Sequence, residues 1–228
     1  MIVVIGPAAL RTTPAGVGEA MGAAPEIAAA AAAGGSVVEI VTKIGEDGAG
    51  EELLLALGRS RVGHRAVLRD PGRPTALVRD PGAELEDADL VPALLVAAEP
   101  AAGDARAGSS LDLGSVPALE PADLALALRY LRDYRVIVAI EPIAAGGADL
   151  IGEAAAFADA SLVVVAVPGV EASAAWAGAT VLEAPADDPD GAFAGLVGRY
   201  ASALDRGVDP AEAFRAATAA GGWETADS

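Results

Sequence analysis

Apolar and polar positions fall in blocks along the chain, and the period of the blocks changes from one to the next. Residues 2–5, Ile-Val-Val-Ile, form a continuous β-branched run ended by Gly6 and Pro7, the pattern of a short strand buried on both faces. The stretch from Gly6 to Met21 is rich in glycine and proline and reads as a turn-rich loop. Residues 27–33 are predicted to be helical, with Pro25 and Glu26 suited to a first turn and Gly34-Gly35 to a stop. Residues 36–42 read as a strand and 48–58 as a helix. Two further runs, 64–69 and 75–79, flank Asp70-Pro71-Gly72-Arg73-Pro74, and that spacing predicts an antiparallel hairpin. Residues 90–97 have an apolar core interrupted by Pro92, so a strand is expected only from about Ala93. Residues 99–118 carry the glycine, proline and serine of a long surface loop.

A helical pattern returns at 121–134, where Leu124, Leu126, Leu128, Leu131 and Tyr134 recur near helical spacing with arginines between them, and an apolar strand follows at 136–140. A helix at 149–159, strands at 162–167 and 180–182, a helix at 192–204 capped by Asp190 and a last helix at 210–220 complete the reading. Strands alternating with helices predict an α/β fold, a mostly parallel sheet with helices on both faces. With 228 residues and 22.4 kDa, one domain spanning 1–228 is expected.

Charge and composition narrow the chemistry. Asp and Glu number 33 against 15 Lys and Arg, a formal net charge of −18, which repels nucleic acid and anionic membrane alike. The absence of cysteine removes thiolate nucleophiles and cysteine-ligated metals, and one histidine, His64, cannot build a histidine cluster. Lys43 is the only lysine and does not follow a glycine, so there is no G-x-x-x-x-G-K-[ST] phosphate loop. Gly16, Gly18 and Gly22 stand too far from the first strand, and at the wrong spacing, for a dinucleotide fingerprint. The apolar stretches fall short of a membrane span and the start lacks a secretory pattern, so a cytoplasmic location is expected.

Order and spacing together resemble the ribokinase/PfkB carbohydrate-kinase family. An alanine-rich helix, the strand after it and the turn Gly45-Glu46-Asp47-Gly48-Ala49-Gly50 are similar to the family's helix, strand and G-x-D-x-x-G. Arg73-Pro74-Thr75-Ala76 resembles its threonine-bearing strand start, and Asp190-Gly191-Ala192-Phe193-Ala194-Gly195 resembles the helix after its G-A-G-D motif. The resemblance implies a three-layer fold with a lid reduced to a short hairpin or lost. It also implies phosphorylation of a sugar or nucleoside hydroxyl by ATP with Mg2+, an Asp as general base and helix N–H groups holding the transferring phosphoryl.

The chemical positions of the family have drifted while the scaffold pattern persists. In direct alignment its catalytic Asp becomes Gly191, and a slip of one residue puts Asp190 there instead. Pro189 has no N–H, and Asp187 and Asp188 bring negative charge to an anion site. The family's sugar-binding Asp aligns with Arg11 and its Asn with Glu26; Gly169 stands next to the expected nucleotide position, and the N-x-x-E motif is missing. The expected site is thus Asp190 as base, with Arg11, Glu26, Gly45, Asp47 and Thr75 toward substrate and Gly169 and Gly191 toward nucleotide. Several of these and nearby residues have a simpler role: Asp190 as a helix cap, Gly45, Asp47 and Gly50 as turn and cap, Glu26 as a first-turn acid, His64 as a surface residue, and Asp187, Asp188 and Asp190 as solvated acids rather than a magnesium site. The reading that follows is a family homologue with transfer lost or much reduced, keeping a small-molecule binding or regulatory role. The alternatives are an active small-substrate kinase using Asp190 and a non-catalytic homodimer or interaction protein.

Overall fold

A computed structural model describes residues 1–13, 15–78, 117–169, 173–186, 188 and 190–221. In chain order the elements are β1 (Ile2–Ile5), β2 (Ala9–Thr12), β3 (Gly18–Met21), α1 (Ala23–Ala33), β4 (Val38–Gly45), α2 (Gly48–Arg59), β5 (Gly63–Asp70) and β6 (Leu77–Val78). After them come α3 (Pro121–Tyr130), β7 (Val136–Ile140), α4 (Gly147–Ala158), β8 (Ser161–Ala166), β9 (Thr180–Glu183), α5 (Ala192–Asp205) and α6 (Pro210–Ala220). Six strands form one parallel sheet in the order β5-β4-β1-β7-β8-β9. Its central strands are the continuous apolar runs, because a parallel strand with helices on both faces has no solvent side.

Alternation along each strand divides the core in two. Ile2, Val4, Ile40 and Val138 face α1, α2, α5 and α6, while Val3, Ile5, Val41 and Ile137 face α3 and α4. Helices α1 and α5 pack closely: a Cβ on Gly198 would lie 2.6 Å from Ala30 Cβ and 2.8 Å from Ala31 N. That crossing admits no side chain and holds the two helices side by side.

Three expectations are corrected. The run after Gly6 is not a loop: β2 and β3 pair antiparallel around a turn at Gly16, whose φ is +74°, and β6 joins β2 to make a separate three-stranded sheet packed on α1 and α2. Strands of four residues with glycine and proline between them carry too little periodicity to be seen alone. The hairpin expected from 64–69 and 75–79 does not form. β5 pairs parallel with β4, while β6 pairs parallel with β2, because Thr75 is bound to the start of α2 and directs the chain out of the large sheet. The helix expected over 121–134 ends at Tyr130, although Leu131 and Tyr134 beyond it stay buried. The strand expected within 90–97, and all but the last two residues of the loop expected at 99–118, lie outside the described residues.

Candidate functional site

In an open parallel sheet, ligands bind beyond the carboxyl ends of the strands where successive connections leave in opposite directions. Here that point lies between β1 and β7: the chain moves from β1 outward to β4 and β5, and from β7 outward to β8 and β9. β1 stops first. Ile5 pairs with Val41 and Ala139, so Gly6 is level with Thr42 and Ile140, and above it a cavity of about 260 Å3 opens between the neighbouring strands. Its walls include Ile5, Pro7, Leu119, Leu124, Ile140 and Ile143. Lys43 reaches it from β4, with Nζ 2.9 Å from Asp123 Oδ2 at the start of α3. The hydrogen bond to Asp123 raises the Lys43 pKa further, so its ammonium charge is secure.

The N-terminus of α2 stands on the same edge. Asp47 caps it, accepting from Gly50 N at 2.8 Å, from Thr75 N at 2.8 Å and from Thr75 Oγ1 at 2.7 Å. The Thr75 hydroxyl accepts in turn from Gly45 N at 2.9 Å. Burial pushes the Asp47 carboxyl up, but these bonds and nearby Arg69 outweigh it and leave its pKa below the ordinary value. The glycines of the turn are there for close approach: a Cβ on Gly45 would lie 2.5 Å from Thr75 N, and one on Gly50 2.5 Å from Gly45 O. Gly45, Asp47 and Thr75, all expected toward substrate, are therefore brought together as one hydrogen-bonded knot.

A second corner forms where α1 and α5 begin. Glu26, in the first turn of α1, accepts from Gly22 N at 2.9 Å. Its pKa is raised, first by burial and then by Asp188, against the opposing effects of the Gly22 bond and Arg11. Arg11 donates to Glu19 Oε2 across the β2–β3 pair at 2.6 Å. At α5 the cap differs from the expectation. Gly191 is the N-cap residue, in the left-handed region with φ 64°, and the carboxylate on the first turn belongs to Asp188. Asp188 Oδ1 accepts from Phe193 N at 3.0 Å and Oδ2 from Ala194 N at 2.9 Å, while Asp188 O accepts from Gly191 N at 3.1 Å. This folded-back turn puts Asp188 over the helix and leaves Asp190 exposed, which is why the adjacent acid is not the capping one.

No family model matches the sequence, and no curated protein does. Solved structures do match. The chain superposes on the protein Sa239 with a TM-score of 0.66 at 14% identity, covering 100% of this chain and 95% of that one. A carbohydrate kinase from Agrobacterium tumefaciens gives 0.63 at 16% identity, covering 96% and 89%. Arabidopsis thaliana ribokinase, solved with ribose and ATP, gives 0.60 at 15% identity, covering 96% and 90%. The fold is that of the ribokinase-like carbohydrate kinases.

On this ribokinase-like frame the expected residues separate into groups. Glu26, Arg11 and Asp188 share one electrostatic neighbourhood, with Gly191 and Asp190 at its α5 side. Gly169 stands apart after β8, its φ at +72° and its N–H donated to Glu183 Oε1 at 3.1 Å. His64 is exposed on β5. Among the described residues no group of three or more His, Asp or Glu is arranged to hold a metal ion, and Asp187 lies outside them. No helix among them is long and apolar enough to cross a membrane. The sequence reading missed the Lys43–Asp123 pair and the capping role of Asp188. The one available signal for the first was that the single lysine stands within a mostly apolar strand.

Proposed function

We propose that this chain is a ribokinase-like protein that binds a small hydroxylated molecule, a sugar or nucleoside, and in which ATP-dependent phosphorylation of that molecule is lost or much reduced. One observation carries the reading: two of the first-turn amides of α5, Phe193 N and Ala194 N, are already answered by the Asp188 carboxylate. Helix N-terminal N–H groups attract phosphate because they are unsatisfied and lie at the positive end of the helix dipole. A carboxylate of the same chain on them removes the donors and sets a negative charge against any incoming anion. Gly169 N is likewise given to Glu183. These residues do not fit a triphosphate with its magnesium. The small sheet of β2, β3 and β6 serves as a reduced lid, and the chain works as one domain.

The test is direct. Incubation with ATP, Mg2+ and a panel of sugars and nucleosides is expected to give no phosphate ester above background, with binding of at least one panel member by calorimetry. Turnover at ordinary kinase rates overturns the reading. Replacing Asp188 by Asn is expected to tighten ADP binding, and an unchanged affinity shows that Asp188 is not the obstacle.

A second reading, an active kinase with Asp190 as general base, draws on the exposure of that carboxylate one residue before the α5 cap. It requires Asp190→Asn to lower a measurable rate by about 10²–10⁴-fold. A third, a homodimer without catalysis, draws on Leu126, Tyr130 and Phe157, which are 62%, 65% and 94% exposed on α3 and α4. Light scattering that returns the mass of one chain removes it.

A further inference from the structure

A second cavity, of about 800 Å3, opens on the amino edge of the sheet as a groove between the C-terminal halves of α3 and α4. Its floor is apolar and continuous with the core, for Leu128, Leu131 and Tyr134 line it and are themselves buried. On the α4 rim Phe157 is 94% exposed. It ends a stripe that is otherwise acidic: Asp149, Glu153 and Phe157 follow at steps of four, share one helix face and are all exposed. A large aromatic ring at the end of a charged stripe, beside an apolar groove, calls for a cover.

The charges around the groove select that cover. Arg129 and Arg132 stand on the α3 side, Glu153 on α4 and Asp133 in the turn after α3. All four are exposed, and none joins an ion pair among the described residues. Two copies of a chain with a net charge of −18 repel each other over most approaches, but at this groove the charges balance. Their arrangement also matches itself. Both helices run from the carboxyl edge to the amino edge: Asp123 at the start of α3 meets Lys43 near the end of β4, and α4 joins the parallel strands β7 and β8. A two-fold axis along the groove sets α3 of each copy on α4 of the other, arginine toward glutamate. An axis across the groove sets α3 on α3, arginine against arginine, so the first arrangement is favoured and the second opposed.

We propose that this groove is a two-fold interface between copies of this chain, in which Phe157 of each copy packs into the groove of the other and Glu153 of each faces the other's Arg129 and Arg132. The assignment rests on the homodimer reading above and names the face that reading requires.

Sedimentation equilibrium of the whole chain over a dilution series is expected to show a monomer–dimer equilibrium. Phe157→Ala is expected to weaken the dimer roughly 100-fold or more, because each dimer loses the ring twice. Two charge reversals give the sharper readout. Arg129→Glu with Arg132→Glu makes both sides of the groove acidic, and Glu153→Arg makes both basic, so each variant alone is expected to be a monomer. Mixed in equal amounts, they present opposite signs at both contacts and are expected to form a heterodimer, which also shows that both are folded. A mixture that stays monomeric, or variants that dimerise like the parent, overturns the assignment. A dimer that survives all of these substitutions removes this face and leaves the homodimer reading standing. A parent that is a monomer at every concentration removes both and gives the groove to another occupant.

Discussion

Two corners of the carboxyl edge use the same device for different ends. At α2 and at α5 an aspartate carboxylate covers the first-turn amides of a helix. Asp47 is the cap residue itself, and its second oxygen crosses to Thr75, so the turn, the helix and the entry to β6 are tied into one unit. Asp188 reaches its helix from three residues upstream of the cap, and its recorded bonds are all to that local turn and helix. The α2 corner is structural because its bonds join distant segments. The α5 corner is a local closure over amides that would otherwise face the strand ends. A carboxylate at a helix start therefore has to be read from what else it holds.

The difference has an energetic form. Asp47→Ala removes a cap and the bonds to Thr75, and is expected to lower stability by about 3 kcal/mol, combining a capping loss of ~1 kcal/mol with a charge-assisted bond of ~2 kcal/mol. Urea denaturation checks it, and a loss no larger than that of Asp188→Ala erases the distinction. The same carboxyl gives a pH signature. Its folded pKa lies below the ordinary 3.8, so its stabilisation is complete above the unfolded pKa and is lost as pH falls through the folded value. The stability gap between the parent and Asp47→Asn should stay constant from neutrality to about pH 4, then close in stronger acid.

Glycine substitutions sharpen the contrast. Gly50→Ala drives a Cβ to 2.5 Å from Gly45 O, and with backbone as the obstacle the expected loss is about 2 kcal/mol. Gly191→Ala meets nothing within 4 Å, so only the left-handed backbone opposes it, at about 1 kcal/mol. Thermal melts of the two should therefore rank Gly50→Ala below Gly191→Ala. Asp188→Ala is expected to remove about 1 kcal/mol, an ordinary cap. A loss above 3 kcal/mol in the same melts makes the α5 corner as structural as the first.

The large sheet was legible because β1, β7 and all of β8 but its first residue are apolar runs, the pattern that burial on both faces leaves. The turn after β5 was legible as a turn from Asp70, Pro71 and Gly72, but its destination was not. That is decided by the Thr75 hydroxyl on Asp47, a contact 28 residues distant in sequence. The α5 corner announced an excess of acid without saying which acid would take the amides. The answer depends on the left-handed turn at Gly191, a backbone path that allows the more distant Asp188 to fold back. Helix crossings behave likewise: Gly198 reads as a weak helix residue until Ala30 and Ala31 are seen against it.

Glu26 offers the finest test, because it reports how far the α5 closure is felt. Its pKa is raised above the ordinary 4.5, chiefly by burial and also by Asp188, so the folded state holds that proton more tightly than the unfolded one does. Ionised Glu26 thus detracts from stability at neutral pH, and acidification through its folded pKa toward 4.5 removes the penalty. Glu26→Gln keeps an oxygen for Gly22 N–H and loses the charge, so a small rise in melting temperature at pH 7 is expected, fading as the pH approaches 4.5. The same substitution made in Asp188→Asn should give a smaller rise, since one source of the penalty has gone. An equal rise in both backgrounds means that the two carboxylates do not communicate, and the closure at α5 then stops at its own helix.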